Sequence, residues 1–195
     1  MYSAHHKNLI VNGRNLEYKG VFKADELFAT INRALEAKHY HKNEKRTEEL
    51  VTETGKRTYV ELRPDKHLSS YIEFIMKIKI TLDNVTDIVE EVKGVKQKFQ
   101  QGDVTIVFDS WVVTDYEHRW TMKPVIYFLK GIINKLIFTF PIEAGAPGEL
   151  AGDTSYIYSR IKKLLDSYKY SSREIVQEKD VRLAVEEDVK KSMST

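Results

Sequence analysis

Residues 71–82, YIEFIMKIKITL, decide the fold class of this chain. From Ile72 onward, every second residue is apolar, and most of the residues between are charged or polar. Successive side chains of a strand lie on opposite faces of a sheet, so this alternation predicts an antiparallel strand with one packed face and one hydrated face. The predicted packed face carries Ile72, Phe74, Met76, Ile78, Ile80 and Leu82, and the other face carries Glu73, Lys77, Lys79 and Thr81.

Further strand-like segments lie on both sides of this one. An Asn12-Gly13 dipeptide near the start of the chain predicts a hairpin, because both positions of a type I′ turn accept positive φ. The other predicted strands are residues 47–54, 58–63, 86–92, 95–99 and 103–115. Turn residues separate them, at Gly55, Pro64-Asp65, Asp83-Asn84, Lys93-Gly94 and Gly102.

Helical periodicity occurs on both sides of these strands. Residues 24–41 carry apolar side chains at helical spacing, and so do residues 150–168. Residues 124–138 begin with Pro124, end with Phe138 and are apolar on nearly all sides, which predicts a further helix. Ser171 and Glu174 have the spacing of a capping box, which predicts that a last, charge-rich helix begins there.

The order of these elements predicts an α+β protein. We expect an antiparallel sheet of about six to eight strands that packs on a long C-terminal helix, with the extra apolar helix before it. The expected domains are a single unit over residues 1–170 and a charged helical or mobile tail over residues 171–195.

This order resembles the helix-grip fold of START-type and Bet v 1-like domains over residues 15–168. That resemblance implies a curved sheet wrapped around the C-terminal helix, with an apolar cavity between them. The helix over residues 124–138 is a departure from the pattern, because those folds run almost directly from the last strand into the gripping helix. Residues 93–96 (KGVK), Gly102-Asp103 and residues 115–120 (DYEHRW) with Pro124 also resemble uncharacterised archaeal proteins, and this second resemblance implies no activity.

Composition limits the classes of function. The 31 basic and 29 acidic side chains give a net charge of +2, so the chain as a whole is not strongly attracted to polyanions. There is no cysteine, which excludes disulfides, thiolate metal sites and a thiol nucleophile. The first residues lack the apolar run of a signal peptide, so we expect a cytoplasmic protein, and no segment is apolar enough for integral membrane insertion.

These features favour a non-catalytic binding protein that holds an apolar ligand or a protein partner against the sheet. The sequence shows no phosphate-binding loop, nucleophile elbow or zinc-protease motif, and we expect no cofactor. The positions predicted to face such a ligand are Ile72, Phe74, Met76, Ile78, Trp111, Ile157, Ile161 and Leu164.

An alternative is an accessory factor of a nucleoprotein assembly such as the ribosome. Residues 38–46, KHYHKNEKR, combine basic side chains that neutralise phosphates with a tyrosine that can stack on an unpaired base. The residues that this hypothesis assigns to RNA are Lys38, Tyr40, Lys42, Lys45 and Arg46.

Three further features bear on partners, chemistry and metal binding. The apolar helix over residues 124–138 fits burial against the sheet or a homo-oligomer interface better than a membrane surface, because its polar face carries few basic residues. Asp115, Glu117 and His118 could support acid–base chemistry, but surface ion pairing explains them more simply because no nucleophile accompanies them. The spacing of His39 and His41 suits one face of a strand, yet we predict no metal site, since these residues lie at a helix end.

Overall fold

The computed structural model describes residues 6–53, 55–69, 72–92, 95–114, 132 and 145–192. Apart from Ile132, these residues form six strands and two helices. The strands are β1 (His6–Phe22), β2 (Glu44–Thr52), β3 (Gly55–Leu62), β4 (Asp65–His67), β5 (Ile72–Val92) and β6 (Val95–Thr114). The helices are α1 (Ala24–Ala37) and α2 (Ala146–Ser192). The α+β class is therefore confirmed.

The strands form one open antiparallel sheet in the order β1-β6-β5-β3-β2. β4 pairs with residues 73–75 of β5, and β3 pairs with the following part of β5 from residue 78 onward. β3 and β4 thus lie one after the other along the same edge of β5. Strands β5 and β6 share the longest ladder, which runs from Ile72 opposite Thr114 to Val92 opposite Val95.

The predicted opening hairpin at Asn12-Gly13 is wrong. β1 continues through this dipeptide and pairs with β6 along its whole length, with shifts of register between Leu9 and Arg14. Gly13 has φ of 62°, and its N–H donates to Asp109 Oδ1 at 2.7 Å. The positive φ that this dipeptide favours occurs in a β-bulge and not in a turn. Strand β6 extends past the bulge, so β1 continues to pair with it.

Two other predicted turns, Asp83-Asn84 and Gly102, lie inside long strands. A register shift occurs between Asp83 and Thr86, where Asn84 has φ of 54°. A Cβ atom at Gly102 would lie 2.8 Å from the carbonyl oxygen of Asp83, so this glycine permits close approach of two backbones. Each pair of predicted short strands is therefore one long strand with an irregularity.

The alternation in β5 is confirmed. Its six inward apolar residues are all buried, and the charged residues between them are half-buried on the other face, which we call the outer face. The inner face of β5 and β6 packs with α1 and α2 in one hydrophobic core. The core includes Leu16, Phe22, Leu27, Ile31, Leu35, Val60, Leu62, Phe74, Met76, Ile78, Ile106, Phe108, Leu150, Ile157, Ile161 and Leu165.

Both helices differ from their predicted bounds. α1 ends at Ala37, four residues before the predicted end, and His39 after it has φ of 60°. α2 runs unbroken through Ser171 to Ser192, so the predicted capping box does not start a new helix. A helix of 47 residues is about 70 Å long. In the described part of the chain, no helix is both long and apolar enough to cross a membrane.

Candidate functional site

The two sides of α2 differ in chemistry over its first six turns. One side carries Leu150, Ile157, Ile161 and Leu165 into the core. The side turned away from the core carries Ser159, Lys162, Lys163 and Asp166. This division follows the helical period, which returns to the same side every three or four residues. The polar side of α2 is therefore where a binding surface can form without disturbing the core.

Arg14 of β1 is held against the polar side of α2. It directly follows the bulge at Gly13, and its Nη1 donates to Ser155 Oγ at 2.7 Å. Its guanidinium lies 4.1 Å from the centre of the Tyr158 ring, at a distance favourable for a cation–π interaction. Tyr158 in turn contacts the core residue Phe108 edge to face, with ring centres 6.0 Å apart. Arg14 is thus positioned by two contacts, although it is exposed.

A groove of about 530 Å³ lies beside these residues, and we call it the first groove. Its lining contains three cationic side chains and one carboxylate, and most of the lining atoms are apolar. Lysine side chains have this dual character because their methylene stems cover a surface while the ammonium group reaches water. The lining residues are Arg14, Tyr158, Ser159, Lys162, Lys163, Asp166 and Ser167.

A second groove of about 280 Å³ lies between α1 and α2, and it shares Lys163 and Ser167 with the first. Arg33, Arg160 and Lys163 supply its cations, and Glu26 its carboxylate. Glu26 accepts a short hydrogen bond from the Tyr168 hydroxyl, and burial together with this bond raises the pKa of Tyr168. Tyrosine and glutamate therefore join the two helices at the rim of this groove.

A charge cluster centred on a buried aspartate lies at the N-terminal part of α2 and shares no lining residue with either groove. Asp153 is 3% exposed, and its carboxylate pairs with Lys38 Nζ at 2.9 Å and Lys66 Nζ at 3.4 Å. The Tyr40 hydroxyl donates to Asp153 Oδ2 at 3.2 Å. Lys66 also pairs with Glu149 at 2.8 Å. We call Lys38, Tyr40, Lys66, Glu149 and Asp153 the Asp153 cluster.

The electrostatics of this cluster indicate a structural role. Burial is the largest cause that raises the pKa of the Tyr40 hydroxyl, and the charge of Asp153 adds to it. Burial by itself would lower the pKa of Lys66, but the neighbouring Glu149 and Asp153 carboxylates outweigh it and raise that pKa. Each cation here has a carboxylate partner, so the cluster ties α1, β4 and α2 together.

Most of the positions predicted to face an apolar ligand lie together in the core. Ile72, Phe74, Met76, Ile78, Ile157 and Ile161 are at most 3% exposed, and Leu164 packs against them half-buried. The prediction that Trp111 faces the core is wrong. Trp111 pairs with Ile75 on the outer face of the sheet, opposite to the face that carries Phe74 and Met76. The alternation of β6 places it there, because its neighbours Ser110 and Val112 face the core.

The residues assigned to RNA in the alternative hypothesis do not form one surface. Tyr40 is only 5% exposed, so its ring is not accessible for stacking on a base. Lys38 pairs with Asp153, and Arg46 pairs with Glu48 at 2.5 Å. Lys42 and Lys45 are exposed. Two of these cations are therefore paired with carboxylates, Lys38 by a tertiary contact and Arg46 by a neighbour two positions away in the same strand.

Two other predictions fall largely outside the described residues. Asp115, Glu117 and His118 all lie outside them, and so does the range 124–138 except for Ile132. Ile132 is helical and 44% exposed. The proposed roles of these segments in acid–base chemistry and in a homo-oligomer interface stay predictions.

Sequence reasoning missed both grooves. The sequence Ser159-Arg160-Ile161-Lys162-Lys163 has a basic polar side and could have marked α2 as a basic surface. Arg14 had no such signal, because it lies 141 positions from its partner Ser155 in the sequence.

The fold and the first groove together define an α+β protein with a basic, partly apolar groove along its C-terminal helix. No protein-family model matches this chain, and no curated protein sequence is significantly similar to it.

Proposed function

We propose that this chain is a non-catalytic binding protein whose first groove takes an amphipathic anion, a small molecule with an apolar body and a carboxylate or phosphate head. The observation that carries this proposal is the composition of the first groove, in which three cations surround a mostly apolar lining. Its volume of about 530 Å³ is within the range of small-molecule sites. The proposal keeps the hypothesis of a helix-grip-like binding domain in the cytoplasm. It places the ligand on the polar side of α2 and not between α2 and the sheet.

The groove offers complementary contacts to both parts of such a ligand. Arg14, Lys162 and Lys163 can pair with an anionic head, and charge-assisted hydrogen bonds of this kind are the stronger ones. The Tyr158 ring and the lysine stems can cover an apolar body. Arg14 is already held by Ser155 and Tyr158, so less side-chain entropy is lost when it binds.

The packing of the inner face supports this shift. The inward positions of β5 contact one another and α2 in the core, with Phe74 and Ile78 fully buried. A ligand between sheet and helix would have to displace these side chains, which interdigitate at high density in protein interiors. The first groove accepts a ligand without that rearrangement.

The test compares amphipathic anions with compounds that carry only the apolar chain or only the anionic head. Laurate and dodecanol share an apolar chain, but only laurate is charged at neutral pH. A ligand that binds the folded state alone raises the melting temperature. We expect laurate or dodecyl phosphate to raise it and to bind with a measurable Kd by calorimetry, and dodecanol and inorganic phosphate to do so much more weakly.

The variant K162E/K163E reverses two charges of the groove, and we expect it to abolish the laurate shift. The matched control K45E reverses an exposed charge in β2, which is not part of either groove. It should keep the rise in melting temperature that laurate causes. If dodecanol shifts the melting temperature as much as laurate and K162E/K163E keeps that shift, the groove is not the site, and binding on the inner face is the better explanation.

A second candidate is the accessory role in a nucleoprotein assembly. The observation that favours it is the continuity of basic side chains across α2, with Arg14 and Lys162 in the first groove, Arg33 and Arg160 in the second, and Lys163 in both. This surface replaces the one assigned to residues 38–46.

Steep salt dependence would support that role, because each neutralised phosphate releases counterions. The measurement is the affinity for a single-stranded RNA at several salt concentrations. We expect the slope for R33E/R160E to be smaller by about two units than the parent slope if the surface contacts RNA phosphates. An affinity that is independent of salt, or a slope unchanged in this variant, would reject it.

A further inference from the structure

The outer face of the sheet brings a histidine and two carboxylates together at β4 and β5. His67 pairs directly with Glu73 across the ladder, and Asp65 lies two residues before His67 on the same face. Residues opposite each other on neighbouring strands have close Cβ atoms, so the register alone places these three side chains in one group. This group is separate from both grooves and from the Asp153 cluster.

One ligand atom from each of the three residues lies within 4.8 Å of the others, which is the observation that suggests a shared ion. The His67 ring lies between the two carboxylates, with Nε2 3.8 Å from Asp65 Oδ2 and Nδ1 3.9 Å from Glu73 Oε1. Only one of these nitrogens can bind a given ion. Ligand atoms bound tetrahedrally to zinc at about 2.1 Å are about 3.4 Å apart, so binding requires the exposed His67 ring to turn until one nitrogen approaches both carboxylates.

A fourth ligand is within reach. His41 forms an isolated antiparallel bridge with Asp65, in which each backbone N–H donates to the other residue's carbonyl. His41 Nδ1 lies 4.0 Å from Asp65 Oδ1, and its side chain is 78% exposed, so the ring is able to rotate. The bridge therefore adds a second imidazole beside the same carboxylate.

The two carboxylates are less exposed than the two imidazoles. The Asp65 and Glu73 side chains are 18% and 15% exposed, and that of His67 is 58% exposed. Asn43 donates a short hydrogen bond to Asp65 Oδ1, which is the kind of contact that orients a ligand from outside a metal site. Lys66, between Asp65 and His67, faces inward to the Asp153 cluster, so its positive charge does not compete with a cation at this face.

We propose that Asp65, His67 and Glu73, with His41 as the fourth ligand, bind one Zn²⁺ ion. Two imidazoles and two carboxylates match the ligand preference of zinc better than that of magnesium or calcium, which favour oxygen ligands alone. The ion would connect β4, β5 and the segment between α1 and β2. We expect zinc to raise the melting temperature, because the ligands come together only in the folded chain.

The test is a competition titration of zinc against a chromogenic chelator, on the full chain with H5Q/H6Q. These two changes remove an adjacent histidine pair that could bind zinc at the N-terminus. We expect one equivalent of zinc, and at least about tenfold weaker binding in H67Q and in E73Q. H41Q should lose less, because the other three ligands remain. Cobalt should give the visible absorption bands of a tetrahedral nitrogen and oxygen site, and H67Q should weaken them.

H39N is the matched control, since it removes an exposed histidine two residues from His41 and asparagine tolerates the positive φ at that position. Melting curves in chelator must agree between H67Q and its parent, so that a loss of binding is not a loss of fold. Zinc binding that is equal in the parent, H67Q and E73Q would overturn the proposal, and so would a parent that binds no zinc at micromolar concentration.

Discussion

The Asp153 cluster and the first groove lie on different sides of α2 and use the same types of residue in opposite ways. In the Asp153 cluster, two lysines and a tyrosine converge on one carboxylate that is 3% exposed. In the first groove, three cations share a lining with a single carboxylate at the surface. The first arrangement uses its charges to join elements of the fold, and the second leaves positive charge for an anionic ligand.

The difference shows why the number of charged residues in a segment does not identify a binding surface. Lys38 and Tyr40 belong to a basic, aromatic segment of the sequence, but burial and pairing with Asp153 occupy them. Lys162 and Lys163 attract less notice in the sequence, yet they line a groove. Burial decides the outcome, because a buried charge needs a partner and an exposed one does not.

The largest expected effect is on the buried side of this comparison. D153N removes the negative charge that Lys38, Lys66 and Tyr40 share. We expect the free energy of unfolding to fall by about 2–4 kcal/mol, because partly buried cations lose their counterion. Urea unfolding followed by circular dichroism measures this change.

D166N is the matched control in the first groove, since it makes the same chemical change on a half-exposed aspartate of the same helix. We expect it to alter the free energy of unfolding by no more than about 0.5 kcal/mol. Equal losses in D153N and D166N would contradict the distinction between the two regions.

A smaller effect is expected from Y40F, and it depends on pH. The variant loses the hydrogen bond to Asp153, which should cost about 1 kcal/mol at pH 8. The pKa values of Tyr40 and Lys66 are raised in the folded chain above 10.0 and 10.5. Their contributions are therefore complete below about pH 10 and are lost as the pH rises above it, because the unfolded chain releases those protons first.

Melting temperatures measured from pH 8 to 11 test this expectation. The parent should lose stability steeply above pH 10, and Y40F should lose less, because the contribution of Tyr40 is gone while those of Lys66 and of the other tyrosines with raised pKa values, such as Tyr168, remain. An alkaline loss in Y40F as steep as in the parent would mean that Tyr40 is not the group responsible.

The smallest effect on stability is expected in the first groove. K162E/K163E should change the free energy of unfolding by no more than about 0.5 kcal/mol while it removes binding of laurate. A large loss of stability in this variant would place the groove with the Asp153 cluster as a structural region. Urea unfolding and calorimetry on the same preparation separate the two effects.

Local sequence patterns predicted part of the fold well. The alternation in β5 and the helical period in α1 and α2 were confirmed, since each depends on neighbours a few positions apart. Turn residues were less informative. The residue types at Gly13, Asn84 and Gly102 predicted turns. In the structure Gly13 and Asn84 have positive φ and Gly102 permits close backbone approach, yet a long partner strand extends pairing past each of them.

The sequence by itself determined which residues face the core, through periods of two and of about 3.6 residues that need no knowledge of distant segments. The tertiary structure decided where β1 lies, how far β5 and β6 extend, and which cations are paired. Arg14 reaches Ser155, Lys38 reaches Asp153 and His41 reaches Asp65 because strand pairing and helix packing bring distant segments together. No local pattern encodes such contacts, since their partners depend on the register of the whole sheet.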